Sequence, residues 1–288
     1  MTVEEQLQRE AAGRRLAVIG AIAGALLPLA GSLFRTLVYI DAPKNRVGQL
    51  LFADEHASDI VISALVLGLG ALALTLPLRY LYDAVKFRRP ELPPVARICA
   101  LAGPGIYFVA QLVLAVVLIT QASAFASGGV QTFDRAEDLT GSPVIVAASA
   151  VGLAAQLALG FAFVMICLNA MRAGLLTRFM GVLGIITGIL FVVPLGSPLP
   201  VVQTFWLIAL AFLLGGRWPQ GGPPAAWRTG QAEPWPTQQQ LREAREEGVA
   251  RHRGDPVPEP DSEPEPEDGE SARPAHPVSK KRKRKKRR

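Results

Sequence analysis

The stretch LAVIGAIAGALLPLAGSLF, residues 16–34, runs for 19 residues without a charge and follows directly on Arg14-Arg15. About 20 apolar residues in helical form cross the ~30 Å hydrocarbon core of a bilayer. The apolar character continues past Gly31-Ser32 into Leu33-Phe34 and Leu37 to Ile40, with no hydrophilic start such as follows a cleaved leader. It therefore reads as a retained first span over 16–40, preceded by a short polar segment, 1–15.

Five further apolar stretches follow, and the sequence predicts spans at 58–80, 95–120, 143–169, 176–195 and 199–216. Backbone polar groups in lipid are satisfied only in helices or closed barrels, and strand-like alternation is absent here. The expected fold is all-α: a polytopic bundle of six transmembrane helices over 16–216, with a tail from 217 to 288. Pro28 in the first span and Gly103-Pro104-Gly105 in the third predict bends. Pro194 to Pro200 predicts a tight turn between the last two spans.

Orientation follows from basic residues in the short connections. One side collects Arg9, Arg14, Arg15, Arg79, Lys86, Arg88, Arg89, Arg97, Arg172, Arg178 and Arg217. The other has Lys44, Arg46 and Arg135, with Arg35 late in the first span. That bias puts both termini in the cytoplasm, consistent with an even number of spans, and implies a cell (inner) membrane. Tyr39, Tyr80, Tyr82 and Trp218 fall where amphipathic rings settle at headgroup level. The connections 41–57 and 121–142 are too short for independent domains.

Lipid tails are as apolar as Leu, so close approach through small residues must draw the helices together. Gly20 with Gly24, and Gly184 with Gly188, make GxxxG pairs. Ala150, Ala154, Ala158 and Ala162 make a ridge at four-residue spacing. These ridges serve contacts within the chain or, alternatively, a homo-oligomer. Cys99 and Cys167 read as packing residues, since two thiols near cytoplasmic helix ends form no disulfide framework.

Chemistry is sparse. Ionisable groups deep in a membrane mark relays and ion paths, and the centres of these spans carry none. The uncharged polar residues Gln111, Gln156, Asn169, Thr187 and Gln203 are expected to bond between helices. Gln111 and Gln156 are the candidates to line a polar cavity. The motifs HExxH, GxxxxGK[ST] and GxSxG do not occur. Asp54-Glu55-His56 with Asp59 reads as a solvated face rather than a metal site. No catalytic residue, metal ligand or cofactor site is predicted, and the chain reads as a non-enzyme.

The tail is proline-rich and polar, and with so few apolar residues to bury it is expected to be disordered. A short helix is expected over 237–251, with Trp218, Trp227 and Trp235 holding the first part near the headgroups. Eight acidic residues stand among prolines between Asp255 and Glu270. The chain then ends on nine consecutive basic residues, Lys280, Lys281, Arg282, Lys283, Arg284, Lys285, Lys286, Arg287 and Arg288. Such clusters are attracted to anionic headgroups by about 1 kcal/mol per residue. Phosphate neutralisation would also allow an RNA or ribosome contact. Arg outnumbers Lys 23 to 7 and Ala, Gly and Pro are abundant, a composition that suggests a bacterial coding sequence.

The Gly-rich first span, the charged connection 41–57 and the stretch Gly174-Leu175-Leu176-Thr177-Arg178-Phe179-Met180-Gly181-Val182-Leu183-Gly184-Ile185 resemble a widespread family of small six-span bacterial membrane proteins of unknown function. The likeness covers about residues 16–216. It implies a multi-pass helical fold and brings no activity or functional residue. Where such proteins often carry Pro after the Leu-Leu pair, this chain has Thr177.

Three functions stay open on the sequence. The first is a scaffold or accessory subunit whose basic tail engages anionic lipid. The second is a small transporter of an apolar or neutral solute, built around the bends at Pro28 and Pro104. The third is a membrane-insertion helper whose tail touches the ribosome.

Overall fold

The computed structural model describes residues 2–192, 200–218 and 223–235, and every regular element among them is helical. The acidic stretch 255–270, the helix expected over 237–251, the basic residues 280–288 and most of the turn 194–200 lie outside the described residues. Met1–Trp235 forms one compact unit.

Helix α1 (Val3–Val38) begins at a complete capping box: Thr2 Oγ1 accepts from the Glu5 N–H while the Glu5 carboxylate accepts from the Thr2 N–H. With no breaker before Pro28, the helix runs from the polar segment straight into the first span. The polar residues ahead of the first span are thus helical and continuous with it.

Connection 41–57 holds α2 (Arg46–Glu55), capped by the Asn45 side chain, and leads into α3 (Ala57–Ala73). Pro77 has no N–H to give the Ala73 carbonyl, and the helix breaks at Leu74 before resuming as α4 (Thr75–Arg88). Helix α5 (Pro94–Ser127) passes without a break through Pro104 and outruns its expected end at 120. A short α6 (Phe133–Thr140) precedes α7 (Pro143–Arg172). Then come α8 (Arg178–Val192), α9 (Val201–Leu214) and the single turn α10 (Ala226–Thr229).

Four helical stretches are long and apolar enough to cross a membrane: Val3–Val38, Ala57–Arg88, Pro94–Ser127 and Pro143–Arg172. Helices α8 and α9 have 15 and 14 residues, about 22 and 21 Å at 1.5 Å per residue. Two of the six expected spans are therefore represented by shorter helices among the described residues.

The bundle puts small side chains inside and large apolar ones outside. Within the first span the buried residues are Ala17, Gly20, Ala21, Gly24, Ala25 and Gly31. Leu16, Ile19, Ile22, Leu26, Leu33 and Leu37 of the same helix are exposed. Helix α5 buries Ala96, Ala100, Gly103 and Ala110 while exposing Ile98, Ile106, Val109 and Val116. Water penalises so much exposed aliphatic surface, whereas hydrocarbon does not. This is the surface of a membrane protein.

The core divides into two clusters. The larger includes Leu74, Leu81, Phe163, Ile166, Leu176 and Trp206, and lies at the end of the bundle that carries the start of α1, called basal below. A smaller one at the opposite, distal end joins α2 and α6 to α3 and α5 through Leu50, Ala53, Ile60 and Phe125.

Candidate functional site

The most elaborate polar arrangement among the described residues lies at the basal end. Glu10 on α1 and Arg88 at the end of α4 form an ion pair whose side chains are only 5% and 0% exposed. Arg88 Nη1 donates to Glu10 Oε1 at 2.6 Å and Nη2 to Oε2 at 3.1 Å, the two-pronged geometry that suits guanidinium and carboxylate. Nη1 also donates to the Ala84 carbonyl, while Nε and Nη2 both donate to the Ala226 carbonyl. All five guanidinium donors are thereby used. Gln6 donates to Glu10 Oε1 and the Tyr80 hydroxyl to the Glu10 carbonyl, so both charges are solvated by protein rather than water.

Ala226 belongs to the segment after α9, which the sequence predicts to be disordered from 217 onward. For residues 223–235 alone that expectation is corrected: they pack against the bundle as a strap. Trp227 stacks on Tyr80 with ring centroids 5.7 Å apart, and its centroid lies 5.6 Å from the Arg88 guanidinium carbon. Its indole N–H donates to the Leu175 carbonyl at 2.8 Å, and the Trp235 indole donates to the Leu176 carbonyl at 2.8 Å. These acceptors belong to the connection after α7, where the helix no longer supplies partners. The Glu233 N–H donates to the Ala173 carbonyl.

Gly174 takes φ +75°, and a side chain there would run into the Glu233 backbone, so both the turn and the strap require glycine. Thr177, at the position where the resembled family often has Pro, caps α8 by accepting from the Met180 N–H. Trp227 is buried while Trp235 stays partly exposed, and each indole N–H pairs a carbonyl that the end of α7 leaves without a helical partner.

Beside the ion pair a cleft of about 860 Å³ opens between α1, α4 and the start of α5. Arg9, Arg79, Lys86 and Arg97 line it, together with Glu10 and Asp83.

Two smaller cavities lie within the bundle. One, of about 180 Å³, is lined by Pro28, Ser32, Tyr107, Gln156, Pro200 and Gln203 among others. The other, of about 130 Å³, is lined by Arg35, Tyr39, Ser63 and Gln111 among others. Gln111 and Gln156 thus line separate spaces, each below the ~300–1,000 Å³ typical of ligand pockets. Arg35 also lies 5.8 Å from the Tyr39 ring centroid.

Among the remaining polar residues, Gln203 reaches between helices. Its side-chain N–H donates at 3.4 Å to the Gly24 carbonyl, the acceptor that Pro28 leaves without a partner in α1. Thr204 donates to the neighbouring Ala25 carbonyl. Asn169 and Thr187 depart from expectation: each bonds back to the carbonyl four residues earlier on its own helix.

The glycine pairs serve contacts within the chain. A Cβ on Gly20 would lie 2.6 Å from Leu76 Cβ, and one on Gly24 2.6 Å from Leu74 Cδ2. A Cβ on Gly188 would lie 2.8 Å from the Gly160 carbonyl oxygen, and one on Gly184 2.9 Å from Trp206 Nε1.

The alanine ridge is different. Ala162 is buried, Ala158 is half-buried, and Ala150 and Ala154 are exposed. Four-residue steps rotate about 40° each around a helix, so the row winds off any one face. The buried face of α7 instead runs Ala148, Gly152, Ala155, Leu159, Ala162 and Ile166, alternating steps of four and three.

Sequence reasoning missed the Glu10–Arg88 pair and the strap. The partners stand 78 positions apart and each resembles an ordinary flanking charge. The one usable signal was three tryptophans in an otherwise polar tail. Among the described residues no group of three or more His, Cys, Asp or Glu is placed to hold a metal ion. Fold and site together define the class only: a helical membrane protein with a polar lock at one end. No family model, curated protein or solved structure matches the chain.

Proposed function

We propose that this is a non-enzymatic membrane scaffold or accessory subunit, with both termini cytoplasmic, that presents its basic C-terminal segment to anionic lipid of the inner leaflet. The observation that carries the reading is the strap. Arg88, Leu175 and Leu176 hold residues 223–235 against the basal end, so the chain beyond Trp235 starts from the end richest in Arg. The surface potential decays over about 10 Å, so each basic residue contributes only where it reaches the headgroups. Nine basic residues give a ceiling of about 9 kcal/mol, reduced by the acidic stretch 255–270.

The topology goes with this reading. Arg15 and Arg35 bracket 19 uncharged residues, about 30 Å of helix, which supports a full crossing by α1. A count of six crossings requires residues 193–199 to complete the passage of α8 and α9. The Gln203 contact to Gly24, midway between Arg15 and Arg35, puts the start of α9 at mid-depth of the first span and favours four full crossings. Both arrangements contain an even number of full crossings and keep the termini together.

The test uses the full chain with a polarity-sensitive fluorophore on Ser279→Cys, in a Cys99→Ala, Cys167→Ala background, reconstituted in nanodiscs. Transfer of the probe toward the surface in phosphatidylglycerol discs, absent in phosphatidylcholine discs and lost when residues 280–288 are all Gln, is the expected result. Equal signals in both lipids would overturn the reading. Salt-sensitive capture of ribosomes at physiological ionic strength, with no lipid response, would replace it with the insertion-helper reading.

A further inference from the structure

We propose that the basal cleft between α1, α4 and the start of α5 is a binding site for one anionic phospholipid, gripped by its headgroup phosphate. The proposal rests on the reading of the basal end as a membrane–cytoplasm boundary, but not on the tail.

The cleft changes character along its length. Leu16, Ala17 and Leu76 line the part toward the middle of the bundle, while Arg9, Lys86 and Arg97 line the part toward the basal rim. Leu16 and Leu76 are exposed, so this wall continues onto the apolar flank of the bundle. A phosphate at the rim and acyl chains along the leucines would match both parts at once. Its volume of about 860 Å³ falls within the ~300–1,000 Å³ of sites that take small ligands.

The charges favour an anion. Glu10 is already neutralised, because Arg88 occupies both of its carboxylate oxygens. Asp83 lies 3.7 Å from Arg79 Nε and offsets that one cation. Lys86 donates to the carbonyls of Pro90 and Leu92, neutral acceptors that leave its charge uncompensated. The side chains of Arg9 and Arg97 make no hydrogen bond or ion pair with any described residue, and both residues are exposed. A positive surplus is therefore held beside an apolar wall, and guanidinium groups suit phosphate oxygens through paired N–H donors. Basic pockets between helices at the cytoplasmic side of a membrane bind lipid headgroups by this chemistry. A soluble phosphate would satisfy the rim but gain nothing from Leu16 and Leu76.

The experiment titrates the full-length protein in neutral detergent with dioleoylphosphatidylglycerol, and separately with dioleoylphosphatidylcholine, reading bound lipid by native mass spectrometry. One tight phosphatidylglycerol per chain is expected, with at least about tenfold preference over phosphatidylcholine. The exposed pair R9A/R97A should lose about tenfold in affinity, R9K/R97K should keep most of it, and the chain with 280–288 all Gln should keep it fully.

Unchanged binding in R9A/R97A overturns the proposal, as does equal affinity for the two lipids. Displacement by glycerol 1-phosphate at the lipid's own concentration would mean a soluble phosphate site and overturns the lipid assignment. Binding lost only in the Gln-tail chain would assign the lipid to residues 280–288, leaving the tail reading standing and this one not.

Discussion

At the basal end Arg88 is buried with every donor satisfied, whereas at the distal end Arg46 meets Glu137 at 3.0 Å with both side chains about half exposed. The basal contact joins α1, α4 and the strap, three parts of the chain far apart in sequence. The distal one joins two short helices that already share a small apolar core with α5. Capping does much of the remaining work there: Asn45 caps α2, Thr132 caps α6, and Arg135 donates to the Ala124 and Gly128 carbonyls at the end of α5. A buried pair becomes a liability once either partner is lost, while an exposed pair exchanges its partner for water at little cost. The two ends should therefore respond very differently to comparable substitutions.

The largest expected effect is at Arg88. Arg88→Ala leaves Glu10 charged, buried and unpaired, and should lower stability by about 3–5 kcal/mol, read as a large drop in thermal midpoint in detergent. Removing both charges with Glu10→Leu and Arg88→Met should cost clearly less than the single change, because no orphan charge remains. A single mutant as stable as the parent would erase the contrast between the ends.

A smaller effect is expected at the strap. Trp227→Phe keeps the ring against Tyr80 but leaves the Leu175 carbonyl without its donor, a loss of about 1–3 kcal/mol. Limited proteolysis should then cut within 223–235 faster than in the parent while the remainder of the bundle persists. Equal cutting rates would detach the strap from the lock.

The smallest effect is distal. Glu137→Gln should change stability by about 0.2–1 kcal/mol at low salt and by less as ionic strength rises. A loss comparable to that of Arg88→Ala would show that the distal pair, too, is shielded from water.

The sequence made one level of this structure legible and hid another. Charge-free stretches located α1, α3, α5 and α7, since hydrocarbon thickness sets their length. Gly20, Gly24, Gly184 and Gly188 marked close helix approaches, because only glycine admits them. The exposed half of the alanine row shows where spacing misled: composition gives smallness, but the winding of the helix decides which small residues face inward. Glu10 and Arg88 were not legible because a buried pair and two flanking charges look alike in one dimension. The sequence offers Trp227 and Trp235 as headgroup anchors, yet the carbonyls of Leu175 and Leu176 that accept from their indoles come within reach only once the chain is folded.

Both the lipid-facing tail and the basal cleft require the two ends of the molecule to lie on opposite faces of a bilayer. The direct measurement is labelling of single cysteines in sealed vesicles by a membrane-impermeant maleimide, in the Cys99→Ala, Cys167→Ala background. Val130→Cys stands at the distal end, 70% exposed in the parent residue, and Gln231→Cys stands in the exposed part of the strap. Labelling of Val130→Cys from outside, with Gln231→Cys labelled only after the vesicles are opened, is the expected result. Labelling of both from one side, or a chain that stays in solution without detergent, would contradict it.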